Sequence, residues 1–158
     1  MRLLLDTDAI IKLAKAGVLE VLTEHTKCAV PMQVNQELLK GKERLYEDAA
    51  VVEELARQRK LRILSRTGEK RLDLGMGESA LLQLWEDQGA DAIISDDRKF
   101  LSVPEERGVP FIIPTDVIAL LFLKGWMTKD EAIIALERIR PWTREMNYDK
   151  ARTMIGGK

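Results

Sequence analysis

Asp6, Glu37, Glu78 and the adjacent pair Asp96 and Asp97 are the residues of this 158-residue chain whose positions point to chemistry. Asp6 follows Leu3, Leu4 and Leu5 directly, and an acid at the end of a buried apolar strand is costly unless it is solvated or bound. Asp96 and Asp97 repeat the device after Ala92, Ile93, Ile94 and Ser95. Glu37 follows the run AVPMQVNQ, and Glu78 opens a helical stretch after the glycine-rich LGMG. Carboxylates gathered from separate segments repel one another, and a bound cation relieves that repulsion. An all-oxygen set suits a hard divalent ion, Mg²⁺ or Mn²⁺ alike. Two such ions about 4 Å apart activate a water and stabilise the leaving oxygen of a phosphodiester.

Supporting groups stand beside these acids. Thr7, Ser95 and Thr115 flank expected strand ends, where a hydroxyl orients a carboxylate or a water, and ordinary capping is an equal alternative. Asp8 is either a cap or an outer acid of the same pocket. Of Asp96 and Asp97, one suffices for the site and the other caps the helix opened by Arg98; the sequence leaves open which. Asp116 is most simply the first-turn acid of its helix. His25, the only histidine, excludes a zinc site built on several histidines and disfavours a histidine triad. Cys28, the only cysteine, excludes an internal disulfide and reads as a core thiol. Trp85 reads as core, Trp126 as hinge packing and Trp142 as a surface or partner contact.

The elements that must hold these residues follow from periodicity. Leu3–Leu5, Cys28–Val30, Leu61–Leu64, Asp91–Ser95 and Pro110–Ile113 read as strands. Helical spacing predicts helices from Thr7 or Asp8 to Gly17, through Leu22, over 32–41, over 43–60, from Glu78 to Gln88 and from Asp116 to Leu123. Thr67 to Gly77 reads as a polar loop. Arg98 to Val103 reads as a brief helix that Pro104 interrupts or restarts. Thr128 and Glu131 supply a capping box for a helix to Ile139, Pro141 ends it, and a weaker helix covers 143–155. Alternation of strands and helices predicts a three-layer α/β/α fold around a parallel sheet of about five strands.

Apolar residues make up 46% of the chain and charged ones 32%, which excludes a disordered or membrane-embedded protein. The longest apolar run, Val117–Leu123, is too short to span a bilayer, and nothing at the N-terminus has the form of a signal peptide. The expectation is a cytoplasmic protein. Between Arg138 and Lys158 six lysines and arginines stand against two acids, a tail that either holds a polyanion or forms a solvated surface.

Four segments taken in order, LLLDTDAIIKLAKAG, AVPMQVNQELLKG, LGMGESALLQLWEDQGADAIISDDRKF and VPFIIPTDVIALLFLKG, resemble the PIN-domain family of metal-dependent ribonucleases, in its prokaryotic branch of toxins and stand-alone relatives. The similarity spans residues 1–125, and 126–158 is similar to a C-terminal helical extension packed on the same domain. The resemblance implies endonucleolytic cleavage of RNA by a metal-activated water, without a covalent intermediate. It assigns Asp6, Glu37, Glu78 and Asp97 to Mg²⁺ or Mn²⁺, with Asp96 close enough to share the role. Asp8 departs from the family, which often has a small hydroxyl residue there. The resemblance also implies a homodimer and, for a toxin, an antitoxin protein as partner. LLLDTD is similar as well to the opening of haloacid-dehalogenase-like phosphatases, but Ile10 stands where that family has Thr or Val. The other rival is a non-catalytic PIN module that binds RNA or a protein.

Overall fold

The computed structural model describes residues 1–33, 36, 46–65, 76–106 and 108–156. Five strands, β1 (Arg2–Leu5), β2 (Lys27–Pro31), β3 (Leu61–Leu64), β4 (Ala92–Ile94) and β5 (Phe111–Ile112), form a parallel sheet in the order β3-β2-β1-β4-β5. The chain builds outward from β1 on one side and then returns to its other side. Strand order therefore reverses between β1 and β4, and open α/β sheets form a crevice at the C-terminal strand ends at such a reversal. Leu5 pairs with Ile94, which sets Asp6 and Ser95 side by side at that edge.

The helices are α1 (Thr7–Ala16), α2 (Leu19–His25), α3 (Tyr46–Arg57), α4 (Met76–Gln88), α5 (Arg98–Glu106), α6 (Pro114–Leu123), α7 (Lys129–Ile139) and α8 (Glu145–Met154), with a 3₁₀ turn at Arg140–Trp142. The pleat sends alternate strand residues to opposite faces. Leu3, Leu5, Cys28, Val30, Leu61 and Ile94 join the main core with residues of α1, α3, α6, α7 and α8. Leu4 and Ile93 point the other way, onto Leu81, Leu82 and Leu84 of α4 and Phe100 and Leu101 of α5. The result is the three-layer α/β/α fold expected from the sequence.

Helix ends follow local chemistry. Gly17 closes α1 at φ 74°, its N–H bonded to the Ala14 carbonyl, a conformation that costs a residue with a Cβ. The Thr128 side chain accepts from the Glu131 N–H while Glu131 accepts from the Thr128 N–H, the capping box foreseen for α7. Pro114 stands at the start of α6, two residues before the expected boundary, where its missing N–H is harmless.

Two expectations change, and others fall outside the described residues. Helix α5 runs unbroken through Pro104 to Glu106, neither interrupted nor restarted there. Loss of one backbone donor there is offset by burial of Phe100 and Leu101 on the sheet. Helix α4 begins at Met76, so Gly77 lies in its first turn and not in a loop. Apart from Met32, Gln33 and Gln36, the expected helix over 32–41 lies outside the described residues, as do most of the loop over 67–77 and the start of the helix over 43–60.

The C-terminal segment shares the main core through Ala132, Leu136, Ile139, Tyr148 and Ala151. Its cations are largely spoken for: Lys150 pairs with Asp116 at 2.7 Å, Arg140 with Glu145 at 2.6 Å and Arg152 with Glu137 at 3.3 Å. These contacts fasten α8 to its neighbours. Helix α6 turns Val117, Ile118, Ala119 and Leu121 into the chain's own core. Trp126 stacks on His25 with centroids 4.4 Å apart, and Trp142 is exposed beneath the Lys15 ammonium.

Candidate functional site

Asp6 ends β1 and caps α1. Its backbone is extended, at φ −84° and ψ 172°, and its Oδ1 accepts the Ala9 N–H at 2.7 Å. Its Oδ2 accepts from the Ser95 hydroxyl, which is fully buried at the end of β4. Only 7% of Asp6 is exposed. Burial pushes its carboxyl up to about 7, against the hydrogen bonds from Ser95 and Ala9, and the charges of Asp8 and Asp96 push the same way.

Asp8 and Asp96 form the outer part of the cluster and share one counter-ion. The Lys12 ammonium lies 2.9 Å from Asp8 Oδ2 and 2.6 Å from Asp96 Oδ2. Lys12 is only 8% exposed. Burial alone would lower its pKa, but the bonds to Asp96 and Asp8 outweigh burial and raise it. Asp96 is raised by burial and by Asp8, with Lys12 opposing. Asp8 is lowered, because its contacts with Asp96 and Lys12 exceed the cost of burial. Lys12 is a participant that the strand-end acids alone do not reveal. Its spacing of four from Asp8 on α1 was the available signal.

Asp97 plays a different part from Asp96. Its Oδ1 accepts from the N–H groups of Lys99 at 2.9 Å and Phe100 at 3.3 Å, so it caps α5 as Asp6 caps α1. Its own N–H donates to Ser95 Oγ at 3.3 Å. Ser95 thus touches both the Asp6 carboxylate and the Asp97 backbone.

Glu37 lies outside the described residues. Glu78 stands half-buried in the first turn of α4, and Thr7 opens α1. Thr115 is 2% exposed in the first turn of α6, and its hydroxyl has no hydrogen-bond partner among the described residues. Asp116, beside it, pairs with Lys150. Cys28 is a buried thiol, pushed up to about 11 by burial, with Thr26 partly opposing.

Among the described residues no three His, Cys, Asp or Glu side chains lie together as a ready-made metal cage. The donor chemistry nevertheless fits a hard cation. Every candidate donor is a carboxylate oxygen, and positive charge, the Lys12 ammonium, already lies between Asp96 and its neighbour Asp8. The profile of a PIN-domain family, DUF3368, matches residues 2–153. The chain belongs to the PIN-domain family. The match covers Asp6, Glu37, Glu78, Asp96 and Asp97 together with α7 and all but the last residue of α8. No curated protein and no solved structure matches the chain. Membership of the PIN-domain family over nearly the whole chain leaves the phosphatase resemblance of LLLDTD without support. Among the described residues of this PIN domain no helix is long and apolar enough to cross a membrane.

Proposed function

We propose that this PIN-domain chain is a divalent-metal-dependent endoribonuclease that hydrolyses RNA phosphodiesters. The observation that carries the reading is the Asp6–Ser95 contact at the strand-order reversal, with Asp8 and Asp96 close by. A buried carboxylate beside two further acids is a place where positive charge is stabilising.

In this reading Asp6, Glu37, Glu78 and Asp97 hold Mg²⁺ or Mn²⁺, and Asp96 adds charge next to them. The ion, when bound, supplies Lewis acidity and neutralises charge on the phosphodiester. Ser95 holds the Asp6 carboxylate in one orientation. Helix α1 aims its N-terminal dipole at the same carboxylate, which favours the ionised form that a cation needs. Water adds to phosphorus, the P–O bond breaks, and no covalent bond to the protein forms.

The partners proposed with this activity are RNA as substrate, a second copy of the chain, and an antitoxin protein if the chain is a toxin, all in the cytoplasm. The test is cleavage of a labelled structured RNA pool with Mn²⁺, Mg²⁺ or EDTA, beside an Asp6→Asn protein. Metal-dependent cutting that vanishes in the variant supports the enzyme. The Lys12 bridge favours a second reading, a non-catalytic PIN module whose acids are neutralised from within. Equal inactivity of both proteins, with RNA binding or protein binding retained, would select it.

A further inference from the structure

We infer that the chain carries a second RNA contact, a groove for the phosphate backbone at the N-terminal end of the sheet, away from the strand-end acids. It deepens the ribonuclease reading above and takes its ligand from that reading. The groove, about 470 Å³ in volume, opens between the end of α2 and the start of β3 and is lined by Glu24, His25, Lys27, Arg59, Lys60 and Arg62, all exposed. A narrower one of about 100 Å³ continues past Lys27 and Arg62 to Arg2. The four residues of β1 separate this edge from Asp6, about 13 Å at the rise of a parallel strand.

The strand register gathers the charge. Arg2 lies opposite Lys27, and Arg62 lies opposite Ala29, two residues along β2 from Lys27. The pleat therefore puts Arg2, Lys27 and Arg62 on one face across three adjacent strands. In the C-terminal segment Arg140, Lys150 and Arg152 are paired with acids, whereas the side chains of Lys27, Arg59 and Arg62 have no ion pair or hydrogen bond among the described residues. The groove's one acid, Glu24, reaches Lys60 at 3.5 Å. Cations massed without counter-charges, on a chain of net charge −1, make a local positive field. Arg59 adds an independent sign. Among the described residues it is the only non-glycine in the left-handed region, at φ 59°. It stands just past α3, where the Lys60 N–H reaches back to the Leu55 carbonyl and glycine is the ordinary choice. An arginine kept there at a conformational cost supplies a guanidinium to the groove.

The chemistry favours phosphates over a protein partner. Among the groove's exposed side chains Met1 is the one large apolar group, and a protein interface needs an apolar centre that excludes water. The single ring, His25, is already stacked on Trp126, which leaves no row of rings for bases to stack on. Recognition then rests on the backbone and is indifferent to sequence.

The test is binding of a short fluorescein-labelled single-stranded RNA, read by anisotropy in EDTA over a range of KCl concentrations, so that no metal joins the RNA to the acids. Wild type, Lys27→Gln, Arg62→Gln, Arg59→Gly and the triple variant are compared, with melting curves to establish folding. Each single change is expected to flatten the logarithmic salt dependence by about 0.7, and the triple variant to lose at least about tenfold in affinity at low salt. Arg59→Gly should melt no lower than wild type, because glycine suits the left-handed position, while still binding RNA more weakly. Failure of wild type to bind RNA, or wild-type affinity and salt dependence in a folded triple variant, overturns the inference. Either result leaves the ribonuclease reading standing, since that is judged by metal-dependent cleavage and its loss in Asp6→Asn. A labelled polyglutamate peptide that binds as tightly as RNA, with the same sensitivity to the variants, overturns the choice of RNA and selects an acidic protein partner. Groove-dependent RNA binding by a protein that cuts no RNA with Mn²⁺ or Mg²⁺ supports the groove and refutes the nuclease.

Discussion

The Ser95 hydroxyl donates to the Asp6 carboxylate across the ends of two adjacent strands, joining residues 89 apart in the chain. The contact exists because β4 returns to the free side of β1 and aligns Ile94 with Leu5. Ser95 also receives the Asp97 N–H, so one hydroxyl orients a carboxylate and steadies the next helix entry.

Ser95→Ala should remove a donor from a carboxylate that is almost wholly buried. Leaving such a group short of a partner costs about 1–3 kcal/mol. Urea unfolding at pH 8 is expected to show that loss, together with weaker Mn²⁺ binding. Unchanged stability and binding would mean that Ser95 does not hold Asp6.

The pH dependence follows from Asp6. Its carboxyl is raised by burial from 3.8 to about 7, so between those values the native state holds more protons than the unfolded chain. This contribution to stability is complete below about pH 4 and is lost as pH rises through about 7. Metal-free protein should therefore lose stability from Asp6 between pH 4 and 7, and Mn²⁺ should raise the melting temperature more at pH 8 than at pH 5. Asp6→Asn, which retains an N-cap side chain, should flatten that dependence and abolish the metal effect. An equal Mn²⁺ shift at both pH values would contradict the assignment.

Asp97 caps α5 through Oδ1. Asparagine caps about as well as aspartate, whereas alanine costs about 1 kcal/mol. Asp97→Asn should keep wild-type stability in urea while weakening Mn²⁺ binding, and Asp97→Ala should lose both. Wild-type Mn²⁺ affinity in a stable Asp97→Asn protein would transfer the metal role to Asp96.

Cys28 should be silent in the folded state. Its thiol is buried and pushed up to about 11, so little thiolate forms at pH 8 and little of it is reachable. Labelling by a small disulfide reagent should match the rate of unfolding, and rapid stoichiometric labelling of native protein would refute this.

Thr128→Ala removes one half of the α7 capping box, far in sequence from the acids. A loss of about 1 kcal/mol is expected in urea, with Mn²⁺ affinity unchanged. A change in metal binding would couple the C-terminal helices to the site.

Much of the fold was legible because its signals are local. Three leucines followed by an acid, Gly17 after an amphipathic stretch, and Thr128 three residues before Glu131 each announce an element or its end within a few positions. Pro104 misled for the same reason. A local breaker was outweighed by burial of Phe100 and Leu101 against a sheet that no short window contains.

By itself the sequence determined the parallel α/β class and the strand-end positions of Asp6 and Asp96–Asp97. Only the tertiary structure decided that β4 lies against β1, that Asp97 caps α5 while Asp96 shares Lys12 with Asp8, and that Lys150, Arg140 and Arg152 are paired with acids within the chain. Periodicity and capping act over one or two turns and are written in neighbouring residues. The partner of a charged side chain is set by which distant segment the sheet carries to it.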